Sequence, residues 1–113
     1  MSSRPVKLLI EDMLEAGEKI RRYSGGMTQV EFEADEKTAD AVVRNMEIIG
    51  EAATRLPEEF RTQHGEIEWL KIVGLRNRIV HGYFGVDLEI VWRIIEHDLP
   101  AFEGSLRNLL CAL

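Results

Sequence analysis

Cysteine is nearly absent from this chain of 113 residues: Cys111, near the end, is the only one. A lone cysteine excludes an internal disulfide framework and a cysteine-built zinc cluster, and it suits a reducing compartment. Long apolar runs are missing too. No stretch approaches the ~20 residues of a membrane span. The early run Val6 to Ile10 is broken by Lys7 and followed at once by Glu11 and Asp12, which is not the pattern of a signal peptide. Basic charge is in short supply. Fourteen Lys and Arg face twenty Asp and Glu, a formal charge of −6, so the surface as a whole does not attract polyanions. Contact with nucleic acid must therefore use a local basic patch. Repeats, low-complexity segments and linkers are absent. What remains is 45% hydrophobic and 30% charged, the balance of a globular protein. At this length residues 1–113 form one domain, expected to be cytoplasmic.

The apolar pattern is helical. Val6, Leu9, Ile10, Met13, Gly17 and Ile20 share one face of a first helix over 4–23, stopped by Ser24-Gly25-Gly26. Met27 to Ala34, with Val30 and Phe32 alternating, is expected to be a loop. Asp35 is placed to cap a second helix running to about Leu56, with Ala39, Val42, Val43, Met46, Ile49, Gly50 and Ala53 on its face. Gly50 there allows another helix to approach closely. Pro57 starts a short helix, Glu58 to Gln63, anchored by Phe60. A third helix is predicted from about Glu66 into His81, broken by Gly82. Asp87 caps a fourth, whose stripe is Leu88, Val91, Trp92, Ile95, Leu99, Phe102, Leu106 and Leu109. Pro100 should kink or split it near Asp98. The predicted fold class is all-α, an up-and-down bundle of four to five helices.

Arg76 does not fit the third helix simply. On a wheel of about 100° per residue, with Trp69 at zero, Val80, Val73, Leu70, Ile72, Ile79 and Leu75 cover about 220°. Arg76 falls at about 340°, inside that arc, whereas Lys71 and Arg78 fall near 200° and 180°, on the solvated side. A buried guanidinium needs a partner. Either Arg76 pairs with a carboxylate of the second helix, Glu47 or Glu51, or the wide apolar face is shared with a second protomer and Arg76 awaits a phosphate in the cleft between them. Ile48, off the main stripe of the second helix, is either exposed or part of such a dimer contact. Asn77 and His81 are four apart, so Asn77 can orient the imidazole.

The charge map singles out the same stretch. Between Trp69 and Val86 there is no Asp or Glu, while Lys71, Arg76 and Arg78 supply +3 and leave −9 for the rest. His97 with Glu96 and Asp98 resembles a metal cluster in sequence only, because consecutive helical residues point about 100° apart. No metal site or cofactor is expected. His64 reads as a surface residue at a helix end. Lys19, Arg21 and Arg22 suit the dipole at the end of the first helix.

The run Arg76-Asn77-Arg78-Ile79-Val80-His81-Gly82-Tyr83 is an Arg, four residues, a His, one residue and a Tyr. It resembles the signature of the HepT toxins within the HEPN superfamily. Ile48 to Ala52, Ile-Ile-Gly-Glu-Ala, and the Trp-bearing helix with Asp98-Leu99-Pro100 extend the resemblance over most of the chain. It implies a HEPN-like helical fold, a two-fold homodimer with the motifs meeting in a cleft, and a metal-independent endoribonuclease. It also implies the toxin role in a type VII toxin–antitoxin pair, with a nucleotidyltransferase antitoxin that silences it by transferring AMP to Tyr83. Catalysis then falls on Arg76 for the phosphate charge, His81 for proton transfer and Asn77 for orientation. The rival from another class is a non-catalytic subunit that presents a nucleotide or substrate to the nucleotidyltransferase.

Overall fold

In the computed structural model, residues 4–80 and 85–113 are described, and all their regular structure is helical apart from one isolated bridge between Val80 and Val86. The first helix, α1 (Val6–Ser24), buries Leu9, Ile10, Met13, Ala16, Gly17 and Ile20 along one stripe. The Ser24 hydroxyl donates to the Ile20 carbonyl at 2.7 Å, and Gly26, at φ 79°, turns the chain out of the helix in a conformation that favours glycine.

The expected loop after α1 contains a helix, α2 (Gln29–Ala34). Thr28 and Glu31 form a reciprocal cap: Oγ1 of Thr28 accepts from Glu31 N at 3.2 Å, and Oε1 of Glu31 accepts from Thr28 N at 2.9 Å. The alternation of Val30 and Phe32 was misleading. Phe32 is fully buried and meets Trp92 at a centroid distance of 5.4 Å, while Val30 faces solvent.

Asp35 caps α3 (Glu36–Arg55) as predicted, with Oδ1 accepting from Thr38 N at 3.0 Å and Oδ2 from the Thr38 hydroxyl at 2.9 Å. These bonds favour the charged form and hold the Asp35 carboxyl below its ordinary value. Ala39, Val42, Met46, Ile49 and Ala53 pack α3 against α1 and the rest of the core. Gly50 provides the predicted close approach: a Cβ there would stand 3.2 Å from the Ile72 carbonyl oxygen. Then comes α4 (Glu58–Gln63), begun by Pro57 and half-burying Phe60.

The third predicted helix is two pieces, α5 (Trp69–Val73) and α6 (Leu75–Ile79), separated at Gly74. Trp69, Ile72, Leu75 and Ile79 are buried; Leu70 is 86% exposed. Val80 leaves the helix in an extended conformation. The apolar arc is thus much narrower than one continuous wheel from Trp69 to Val80 suggests.

Asp87 caps α7 (Leu88–Arg93) by accepting from Glu89 N and Ile90 N. The predicted interruption near Asp98 is a π-helical turn, Ile94–Asp98, leading into α8 (Leu99–Ala112) with Pro100 in its first turn. The turn has a clear physical reason. Ile94 is buried, and in a continuous α-helix the residue four further on, Asp98, would sit below it in the core. A turn of i→i+5 spacing brings Leu99 there instead and leaves Asp98 at the edge. In α8 the buried carboxylate of Glu103, 2% exposed, faces Gly17 of α1; a Cβ on Gly17 would be 3.1 Å from Oε2. Arg21 Nε lies 2.9 Å from Oε1, and Arg107 Nη2 lies 3.6 Å from Oε2.

Candidate functional site

A cleft of about 650 Å³ is walled by α1, by α3 and by α5 and α6. Arg76 and Asn77 stand on its α6 wall, both exposed. Glu47, Ile48 and Glu51 stand on its α3 wall, together with Arg44. The expectation that Arg76 lies within the apolar arc is corrected. Once Gly74 breaks the helix and Leu70 and Val80 turn outward, the buried residues of the segment lie to one side of Arg76, and its guanidinium faces the cleft.

The two proposed carboxylate partners share the cleft with Arg76, but among the described residues neither is within 4.0 Å of it. Glu51 instead holds Arg55 at 3.5 Å. Ile48 is half-buried on the cleft wall.

Arg78 was expected on the solvated side, and this too is corrected. Its Nη2 donates to Asp98 Oδ2 at 2.8 Å, with the two side chains 32% and 38% exposed. The acid-free segment carries three cations, and two of them are occupied: Lys71 pairs with Glu68 at 2.9 Å and Arg78 with Asp98. Among the described residues, Arg76 is the cation of this segment that keeps no ion pair. An exposed planar fork of donors over an open cleft is suited to bind a phosphate or carboxylate.

His81, Gly82 and Tyr83 lie outside the described residues. The site as described is therefore Arg76 and Asn77, the second and third residues of α6. Among the described residues no group of three or more His, Cys, Asp or Glu is placed to hold a metal ion, and no helix is long and apolar enough to cross a membrane. His97 is exposed within the π turn, and His64 ends α4 with its ring centroid 4.5 Å from that of Phe60. Lys19 and Arg22 pair with glutamates one turn earlier on α1, at 3.5 and 3.3 Å.

Comparison with known families decides the kinship of the chain, for the HepT-like ribonuclease family model matches residues 13–109. The chain belongs to the HepT-like ribonuclease family. The "Probable ribonuclease HepT" of Thermococcus cleftensis is 37% identical over 106 residues, covering 94% of this chain and 96% of that protein. "Putative RNase MJ0127" of Methanocaldococcus jannaschii is 37% identical over 100 residues, 88% of this chain and 83% of that one. "Putative RNase TTE0752" of Caldanaerobacter subterraneus is 36% identical over 101 residues, 89% and 90% of the two chains. No solved structure is significantly similar to the chain.

In this HepT-like chain three residues of the site region escape a reading of sequence alone. Arg44 is one exposed charge among many on a helix, and nothing in its spacing marks it. Asp98 and Arg78 are distant in sequence. The signal that joins them is the five-residue step from Ile94 to Leu99, visible only when Ile94 rather than Ile95 is taken as the core residue.

Proposed function

We propose that this protein is a metal-independent endoribonuclease, the toxin of a type VII toxin–antitoxin pair. The observation that carries the proposal is the exposed Arg76 guanidinium, free of ion pairs among the described residues and set over an open cleft in a chain of the HepT-like ribonuclease family. The 2′-hydroxyl of the RNA attacks the adjacent phosphorus and gives its proton to His81. The bond to the 5′-oxygen breaks, and that oxygen takes up a proton, leaving a cyclic phosphate and a free 5′-hydroxyl. Arg76 holds the negative charge that gathers on the phosphorane oxygens, and Asn77 orients Arg76 or His81. Two protomers related by a two-fold axis bring their motifs to one cleft.

Control falls on Tyr83. A nucleotidyltransferase partner directs its hydroxyl oxygen at the α-phosphorus of ATP; pyrophosphate leaves, the hydroxyl proton is lost and AMP stays on the ring. The added phosphodiester charge lies two residues from His81 and repels RNA phosphate.

The test incubates pure protein with RNA in EDTA. Cleavage by the wild type, and its loss in Arg76→Ala and His81→Ala with helicity retained by circular dichroism, is the expected result. An intact wild-type RNA pool would replace this reading with a non-catalytic subunit. The mass gain of the wild type on treatment with partner, ATP and magnesium, absent in Tyr83→Phe, checks the acceptor.

A further inference from the structure

Arg76 and Arg78 stand two residues apart on α6, which turns their side chains about 200° apart around the helix axis. One looks into the cleft; the other reaches back to the π-helical turn at Ile94–Asp98. A helix of five residues does not hold its own shape, and α6 has no side-chain cap at its start, where Gly74 breaks it from α5. Burial of Leu75 and Ile79 decides which face is inward. Two side chains on one edge set the roll of so short a helix only coarsely, and its fine angle falls to contacts on the flanks.

We infer that the Arg78–Asp98 ion pair fixes that roll, and that Arg78 and Asp98 are positioning residues for the Arg76 guanidinium. The bond from Nη2 to Asp98 is 2.8 Å long, and the Nη1 of Arg78 is buried with no hydrogen-bond partner among the described residues, so Asp98 is the anchor of the guanidinium among them. Asp98 is available only because the π turn passes the core position to Leu99. Rotation that carries Arg78 away from Asp98 carries Arg76 across the cleft on the opposite side of the same helix. A half-exposed ion pair contributes little to global stability, so its loss leaves a folded protein with a misdirected Arg76.

The catalytic consequence rests on the ribonuclease reading; the positional one does not. Asp98→Asn keeps the shape of the side chain and removes its charge, and Asp98→Glu keeps the charge. The measurements are kcat and KM for RNA cleavage well below the unfolding temperature, and the backbone amide resonances of Arg76 and Asn77. Asp98→Asn should lower kcat by about 10- to 100-fold, the scale of a displaced reacting group, with KM within about twofold. It should shift both amide resonances, and Asp98→Glu should recover part of kcat. In an Arg76→Lys background, Asp98→Asn should lose most of its effect. A lowered melting temperature with unchanged kcat, a change confined to KM, or unmoved amide resonances would each overturn the proposal. Should the wild type leave RNA intact, the ribonuclease reading fails, and the amide resonances still decide whether Asp98 positions α6.

Discussion

Arginine and lysine differ more in shape than in charge, and the cleft makes that difference testable at Arg76. A guanidinium offers a rigid fork to two phosphate oxygens at once, whereas an ammonium acts as a point charge on a flexible stem. In this cleft the acidic groups of α3 share the walls with Arg76, so a point charge is drawn to carboxylate as readily as to phosphate. Arg76→Lys should therefore retain binding better than turnover. Relative to the wild type, cleavage should fall by about 100-fold or more, the cost typical of removing a transition-state donor. Steady-state cleavage assays check this, and a rate within a few-fold of wild type would reduce Arg76 to a charge. Glu103 shows the opposite use of arginine. Its carboxylate is nine-tenths and more buried against Gly17, and two guanidiniums hold it there. Arg21→Ala leaves that carboxylate with its more distant partner, a change expected to cost about 1–3 kcal/mol, read as a lower midpoint in urea.

The elements themselves show which sequence signals carry through. The caps do. Asp35 and Asp87 each begin a helix where a small acidic residue precedes an apolar stripe, and both were legible. The capping box of α2 was equally present as Thr28-x-x-Glu31, but a six-residue helix offers too few apolar positions for its period to stand out against an apparent alternation. Because the Asp35 carboxyl is held below its ordinary value, its stabilising contribution is complete above the usual carboxylate range and is lost as pH falls through the folded-state value. Asp35→Ala should accordingly melt below wild type at neutral pH, with the gap closing on strong acidification. A gap independent of pH would mean that the charge of the cap does not matter. Gly50 tests packing rather than capping. Alanine is the better helix former by about 1 kcal/mol. Here its Cβ would meet a backbone carbonyl at 3.2 Å, which has no flexible end to yield. Gly50→Ala should lose about 1–2 kcal/mol in denaturant unfolding despite the propensity gain.

At the scale of the whole molecule, helix placement was largely readable because each long helix keeps one apolar stripe, and those stripes become the shared core. Of the candidate site, Arg76 and Asn77 were singled out in the sequence but their setting was not. A wheel assumes one continuous axis. Gly74 ends that axis, so Arg76 moved from the apolar arc to the cleft, and Arg78 moved from solvent to Asp98. The apolar excess that suggested a shared face was thereby reduced, yet the cleft still carries half-buried Ile48 and Val73 beside Arg76. A second copy placed on this wall would cover those apolar groups and bring a second Arg76 to the same opening. If the proposed dimer forms in this way, light scattering at micromolar concentration should give twice the 12.9 kDa of one chain. Cleavage per chain should then fall on dilution, because each site needs its neighbour, and Ile48→Glu should weaken both in parallel by placing a charge in the contact. A monomer whose cleavage per chain is the same at every dilution would show that one cleft suffices, with Arg76 and its neighbours acting from a single chain.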